Sequence, residues 1–500
     1  FIKTNSLFDQ FIKNFKEYQN IAVKFTKEEK ELLRPYQQEG VKWLYNLYKC
    51  GLGGILADEM GLGKSLQTII FIRRVLEEDS KAKILIVTPT ALVYNWDNEF
   101  RKFSDDIKRN IFVGVKKERH KKLSEYDGNV YITSYGLLRE DLEIYQEMNF
   151  KVMVIDEAQN IRNPIALLTK AVKRIKSEVK LALTGTPIEN SVLELWSIFD
   201  YIMPGFLASK SKFSEKYKIN NDFDDNANLT LDKLRTQVKP FILRRKKGDV
   251  LKDLPDKLEN NIYIDLTEEE KKIYASCVKD AKDKMEELVS DGFTKNKMLI
   301  LTLLTRLRQV CIDPKIIFEN YDKPSSKIEN LVKIVKEAVS NGHKILLFTS
   351  FKTALNIVKD NLTEEGITSY VIDGSVSSKK RQELVDNFNN DDTNIFLIML
   401  KSGGTGLNLT SADIVVHLDL WWNPQAENQA TDRAHRIGQK NTVEVIKLIT
   451  KGTIEEKILD LQNKKKILSD KLIEKDGDEY KSFQNLSVDD IRELLRYNNE

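Results

Sequence analysis

Two sets of short, largely apolar runs, each alternating with stretches of helical periodicity, constrain the fold of this chain more than any other feature. The first set is Gly54-Ile55-Leu56-Ala57, Ile84-Leu85-Ile86-Val87, Val152-Met153-Val154-Ile155 and Leu181-Ala182-Leu183. The second is Ile345-Leu346-Leu347-Phe348, Ile395-Phe396-Leu397-Ile398 and Ile414-Val415-Val416-His417-Leu418. Runs of this length and composition read as strands, and helical segments between them are the signature of a parallel α/β sheet. Two sets predict two such lobes.

Between the sets, strand signals are sparse and the text is helical and charged, notably over Leu266–Asp291 and Lys297–Gln309. The expected organisation is a lead-in over 1–27, a first lobe over 28–205, a helical insertion and interlobe linker over 206–325, a second lobe over 326–455, and a C-terminal helical brace over 456–500. In the brace, Ser487 or Asp489 is placed to cap a final helix. Five hundred residues suit about three domains of roughly 150 residues each. No tandem repeat or low-complexity tract interrupts them.

Charge and cysteine content exclude several classes. With 79 basic and 76 acidic side chains the net charge is only +3, so a nucleic-acid surface has to be a local patch. Cys50, Cys277 and Cys311 are scattered without a Cys-x-x-Cys pair, which points to neither a zinc site nor a disulfide framework. No apolar run reaches the roughly 18 residues of a membrane span, and no signal peptide opens the chain, so an intracellular protein with no membrane partner is expected. Phe1 rather than Met at the start suggests a fragment or a processed chain, which leaves room for an N-terminal module ahead of it.

Chemistry concentrates where the strands end. Asp58-Glu59-Met60-Gly61-Leu62-Gly63-Lys64-Ser65 joins the run at 54–57 to a helical stretch with apolar Leu66, Ile69, Ile70 and Leu76. Glycines let backbone N–H groups turn toward an anion, and the helix N-terminus adds partial positive charge. Lys64 can reach β/γ-phosphates, and the Ser65 hydroxyl can ligate Mg²⁺. A general phosphate loop has Gly where this chain has Asp58, so a glycine-rich strand-to-helix turn stays open on this stretch alone. Asp156-Glu157-Ala158-Gln159 closes the run at 152–155. Beside a phosphate loop, Asp156 can hold Mg²⁺ and Glu157 can orient or deprotonate an attacking water; in isolation it is an acidic turn. Thr184-Gly185-Thr186-Pro187 ends another strand, either as a γ-phosphate sensor or as an ordinary turn. Arg433 and Arg436 stand three apart, which would set them on one face of a helix as arginine fingers or as a solvated basic face.

Taken in order, these motifs resemble those of the Swi/Snf-type ATPases of helicase superfamily two. The likeness runs from about residue 28 to 500, through Leu33-Arg34-Pro35-Tyr36-Gln37, the 58–65 loop, Thr88-Pro89, Asp156–Gln159 and Leu183–Pro187 to Gly403–Leu409 and Gln429–Gln439. Features particular to the family are Asp58 itself, Arg244-Arg245-Lys246-Lys247 through Leu254-Pro255-Asp256-Lys257, Leu304–Pro314, Trp422-Asn423-Pro424 and Arg436-Ile437-Gly438-Gln439. Asp313 stands where the family often has His, and Gln159 replaces the more frequent His, giving a DEAQ box of prokaryotic type.

The resemblance implies two RecA-like lobes using ATP and Mg²⁺. Nucleotide would be held by Arg34, Gln37, residues Asp58 to Ser65, Gly406 and Gln429, and the metal by Ser65 and Asp156. Catalysis would fall to Lys64, Asp156, Glu157, Arg433 and Arg436, and coupling to Gln159, Thr184 and Thr186. Duplex DNA would lie on Thr88, Asn95, Trp96, Thr133 and Ser134 of the first lobe and Ser350, Lys401, Thr405 and Trp422 of the second; packing roles compete for Trp96 and Trp422. The basic cluster at 244–247 would brace the closed state, touch DNA or stand in solvent. The implied protein is a monomeric, DNA-stimulated ATPase that moves along double-stranded DNA without separating strands and shifts DNA-bound proteins, in the cytoplasm or nucleoid of a prokaryote or the nucleus of a eukaryote. Alternatives are a strand-separating or RNA-directed helicase and an inert nucleotide-gated scaffold, the last disfavoured because Lys64, Asp156, Glu157, Arg433 and Arg436 are all present.

Overall fold

The computed structural model describes residues 22–185, 192–217, 233–251, 255–400, 407–463 and 488–496. The chain forms two compact units that divide between Lys252 and Asp253.

The first unit is built on β1 (Gly54–Leu56), β2 (Ile84–Thr88), β3 (Arg109–Ile111), β4 (Val130–Ser134), β5 (Phe150–Ile155), β6 (Ser177–Leu183) and β7 (Ile242–Leu243). They lie in the order β3-β4-β2-β5-β6-β1-β7, every neighbouring pair parallel. Side chains alternate across a strand, so Ile55, Leu85, Val87, Met153 and Ile155 enter one buried cluster, while Leu56, Ile84, Ile86, Val152 and Val154 enter another. Helices cover both faces. Val41 and Leu44 of Pro35–Lys49 and Ile69 and Ile70 of Lys64–Glu78 belong to the second cluster, Leu195, Ile198 and Phe199 of Val192–Ile202 to the first. That is why these strands carry no polar alternation.

The second unit holds β8 (Lys257–Ile264), β9 (Ile345–Thr349), β10 (Ser369–Ile372), β11 (Ile395–Met399), β12 (Ile414–His417) and β13 (Val443–Thr450), in the order β10-β11-β9-β12-β13-β8, again all parallel. Two strands depart from the sequence expectation for 206–325. β7 adds a two-residue edge to the first sheet, and β8 an eight-residue edge to the second. β8 escapes a search for apolar runs because it is an edge strand with one neighbour, exposed on both faces from Leu258 to Asn261, which lets Glu259, Asn260 and Asn261 break the apolar pattern. The expected helices do form, as Glu268–Ser290 and Phe293–Ile312. The first opens with a capping box in which Thr267 and Glu270 satisfy each other's backbone N–H groups. They share a core with Leu420, Ile449 and Ile458 and with Ile491 and Leu494 of the helix Val488–Leu494. Of the two residues expected to cap that last helix, Asp489 lies within it and Ser487 lies outside the described residues.

Candidate nucleotide site

Because all strands of the first sheet run the same way, their carboxyl ends share one edge, where ligands of open α/β sheets bind. Along that edge stand in turn Ser134 at the end of β4, Thr88 at the end of β2, Asp156 after β5, Thr184 after β6, Asp58 after β1 and Arg245 after β7. Motifs 187 residues apart in sequence, at Asp58 and Arg245, thereby become neighbours.

The phosphate loop leaves β1 and closes into the helix Lys64–Glu78 with Gly63 as its left-handed N-cap at φ 76°; Gly61 is also left-handed at φ 84°. A Cβ at Gly63 would sit 2.5 Å from Gln37 Nε2, so this glycine serves close approach as well as conformation. Lys64 Nζ folds back onto the Asp58 carbonyl at 2.6 Å, and Ser65 lies in the first helical turn. Gln37 ties the preceding helix to the loop: its Nε2 donates to the Leu62 carbonyl at 3.1 Å and its Oε1 accepts from Arg34 N at 2.9 Å, while Tyr36 Oη donates to the same Leu62 carbonyl at 3.0 Å. Met60 lies against Gly185, whose Cβ would meet Met60 Cγ at 3.0 Å.

Asp58 turns inward. Its carboxylate is fully buried and accepts from Arg245 Nε at 2.8 Å, from the second Arg245 arm, and from Gln67 Nε2 at 3.1 Å. Arg245 reaches the Tyr36 carbonyl and Gln67 Oε1 as well, and its guanidinium lies 5.1 Å from the Tyr36 ring centroid. Glu59 repeats the pattern, accepting at 2.7 Å from Lys247 N and giving its own N–H to the Arg245 carbonyl at 3.0 Å. The Asp58 and Glu59 side chains therefore shape the loop from behind. Arg245, read from the sequence as part of a basic cluster with DNA among its uses, is a brace inside the first unit. Spacing alone could not show this, since the partner is set by strand order.

Asp156 is gripped on every side. Trp96 Nε1 donates to its Oδ2 at 2.9 Å, Thr88 Oγ1 to the same oxygen at 3.3 Å, Glu157 N to its Oδ1 at 2.9 Å, and Tyr135 Oη to its carbonyl at 2.7 Å. Burial and the adjacent Glu157 charge push its pKa up to about 6 against the opposing pull of Trp96 and Lys64. Glu157 has a left-handed backbone at φ 50°, a conformation costing a non-glycine residue about 1–2 kcal/mol. The strain is held by bonds: Gln159 Nε2 donates to Glu157 Oε2 at 2.7 Å, and Thr184 Oγ1 donates to Gln159 Oε1 at 3.0 Å. Thr184, Gln159 and Glu157 thus form one chain from β6 to the acid pair; Thr186 lies outside the described residues.

Several expected DNA contacts are not surface groups. Thr88 and Thr133 are 0% exposed, Ser134 and Trp96 1%. Besides Thr88 and Trp96 on Asp156, Thr133 Oγ1 bonds the Phe112 carbonyl, and Ser134 caps the helix Tyr135–Glu140. Thr88 and Trp96 thus touch the acid of the site, while Thr133 and Ser134 hold the neighbouring strand and the helix that follows it. Asn95 remains half-buried on Val93–Phe103.

In the second unit, the expectation of a helix face for Arg433 and Arg436 is corrected. The helix Pro424–Thr431 ends before both, and they occupy the turns that follow, through left-handed Gly438. Arg433 is buried, its Nε donating to the Gln429 carbonyl at 3.0 Å; Arg436 donates to the Leu407 carbonyl at 3.3 Å. Ser350 is half-buried, giving its N–H to Asp419 Oδ1 at 2.9 Å and accepting at its hydroxyl from Arg308 at 3.3 Å. Trp422 packs partly buried against the insertion core, 5.7 Å from the Arg308 guanidinium. Lys401, Thr405 and Gly406 lie outside the described residues.

Residues 36–316 match the SNF2-related domain and residues 326–438 the helicase conserved C-terminal domain. The chain belongs to the SNF2-related family. It is 40% identical to a Mycoplasma pneumoniae protein described as an uncharacterized ATP-dependent helicase, over 99% of this chain and 47% of that one. With YwqA of Bacillus subtilis, named for an ATP-dependent helicase/translocase, it shares 37% identity over 93% of this chain and 51% of that protein. The chain thus spans about half the length of the curated relatives it matches. A solved structure, the Sulfolobus solfataricus SWI2/SNF2 ATPase core in complex with dsDNA, is 37% identical over 93% of this chain and 97% of that one, with a TM-score of 0.44. Among the described residues of this SNF2-related chain, no helix is long and apolar enough to cross a membrane.

Proposed function

We propose that this chain is a DNA-stimulated ATPase that translocates on double-stranded DNA without separating its strands and remodels protein–DNA complexes. The observation that carries it is the single sheet edge on which a phosphate loop, its lysine and a strained, cross-braced Asp156–Glu157 pair lie within electrostatic reach of one another. Hydrolysis is favoured over an inert scaffold because Glu157, beside Asp156, is held in a costly left-handed backbone conformation of the kind that clusters at functional sites.

Mg²⁺ suits the donors. Ser65 offers a hard hydroxyl and Asp156 a carboxylate repelled by Glu157, and such a cation keeps water and phosphate oxygens for its remaining positions. When bound, it would offset charge on the phosphates. In our reading Lys64 holds the terminal phosphates and Glu157, oriented by Gln159, positions water. Gln159 and Thr184 report the state of that water and phosphate along their hydrogen bonds. Arg433 and Arg436 act on the transferring phosphoryl group, an assignment supported by the family motif rather than by geometry. DNA phosphates would meet Asn95 and, in the second unit, Ser350, Lys401, Thr405 and Trp422. Family membership supports duplex DNA as substrate; the bound protein that is moved is a partner of unstated identity.

An ATPase titration with duplex DNA, single-stranded DNA and RNA tests the reading, together with gel-based unwinding of a partial duplex. Strongest stimulation by duplex without strand displacement is expected. Clear displacement, or preference for RNA, overturns it.

A further inference from the structure

We infer that Trp96 is a positioning residue for the metal-binding carboxylate of Asp156, and not a DNA contact; this rests on the ATPase reading above. A carboxylate has about four lone-pair sites. Trp96 Nε1 at 2.9 Å and Thr88 Oγ1 at 3.3 Å occupy both sites of Asp156 Oδ2, and Glu157 N at 2.9 Å takes one of Oδ1. One lone pair remains, on Oδ1, and its direction is set by how the carboxylate is turned. Tyr135 Oη fixes the backbone of the same residue from its carbonyl at 2.7 Å. With the main chain held, the side-chain torsion is set by Glu157 N on Oδ1 and by the two side-chain donors on Oδ2, of which Trp96 makes the shorter bond.

Trp96 suits that task. It is 1% exposed, it sits on the helix Val93–Phe103 that buries Val93 and Phe100 beside it, and its ring packs on Phe100 at 6.3 Å between centroids. An indole N–H is a donor only, so it cannot reverse its role as the site's charge changes. Groups that orient a metal-binding carboxylate commonly affect metal affinity or activity by about 10–100-fold when removed. A purely space-filling tryptophan would not.

Trp96→Phe in the full chain keeps the ring and deletes the donor. Mn²⁺ binding in the presence of ADP, followed by electron paramagnetic resonance of the free ion, should weaken about 10-fold, while fluorescent mant-ADP binding without metal stays within about 2-fold. Mn²⁺ affinity equal to wild type overturns the inference. Should Trp96→Phe fail to fold, Thr88→Val removes the second donor to the same oxygen. It should weaken Mn²⁺ in the same direction by about 3-fold, and unchanged affinity there likewise overturns it. Wild-type protein with no ATP hydrolysis beyond that of Lys64→Ala would sink the ATPase reading itself. Wild-type hydrolysis with Mn²⁺ held equally well by Trp96→Phe sinks only the role of Trp96.

Discussion

Both units place an Arg–Asp pair with a buried carboxylate at the carboxyl edge of a parallel sheet, yet the two pairs hold different things. In the first unit Asp58 follows β1 and Arg245 follows β7, the strand next to it, so the pair closes within the sheet and its burden is the phosphate loop. In the second, Asp419 lies two residues past β12 and its partner Arg308 comes from the helical insertion. Arg308 also donates to the Leu420 carbonyl at 2.7 Å and lies 5.1 Å from the Phe351 ring centroid and 5.7 Å from that of Trp421. The first pair shapes a binding loop; the second docks an inserted element and sets Ser350 and Trp422 beside it. One physical device, a guanidinium set against a fully buried carboxylate, backs the 58–65 loop in one place and anchors an inserted helix in the other.

Truncating either arginine should cost most, because each leaves a buried carboxylate without its partner, a loss of about 3–5 kcal/mol. Arg245→Ala and Arg308→Ala should therefore both lower the urea midpoint of the full chain. The comparison predicts that they part in function: Arg245→Ala loses mant-ADP binding, whereas Arg308→Ala keeps it and loses stimulation by duplex DNA. Equal loss of nucleotide binding in both would erase the distinction.

Arg433→Ala comes next, with turnover reduced about 10³-fold, or about 4 kcal/mol of barrier, and ATP binding retained. Lys64→Ala should lose both. The contrast assigns the first unit to holding nucleotide and the second to the transition state, and a normal rate in Arg433→Ala would break it.

What the sequence disclosed follows from which forces act locally. Runs such as Ile84–Val87 and Ile345–Phe348 are buried on both faces, so composition alone marks them; β8 is exposed along one edge and reads as polar loop. The loop 58–65 and the pair Asp156–Glu157 are contiguous, so their placement at strand ends could be read from the sequence. The contacts of Arg245 with Asp58 and of Trp96 with Asp156 could not, because the partners are 187 and 60 residues apart and only strand order brings them near. The helix face expected for Arg433 and Arg436 failed because the helix Pro424–Thr431 stops at Asp432 and both arginines lie in the turns beyond it, an ending that their i,i+3 spacing does not reveal.

The smallest effect concerns a histidine with no counterpart on the first sheet edge. His417 ends β12, stacks on Phe348 at 5.7 Å between ring centroids and bonds Thr431 Oγ1 at 3.2 Å, just ahead of Arg433. Burial pushes its pKa down to about 4, with Glu427, Asp419 and Glu259 resisting and Lys447 assisting. The unfolded chain binds a proton at this residue near pH 6.5 and the folded chain does not until about 4. Stability from the neutral ring is therefore complete above pH 6.5, falls as pH drops through that window, and levels off below about 4, for a total of up to about 3 kcal/mol. Urea unfolding of wild type and His417→Gln at pH 7.0 and 4.5 isolates this share from the carboxylates common to both. The variant should lose less stability between the two pH values, and parallel losses would show that the buried ring contributes nothing to acid sensitivity.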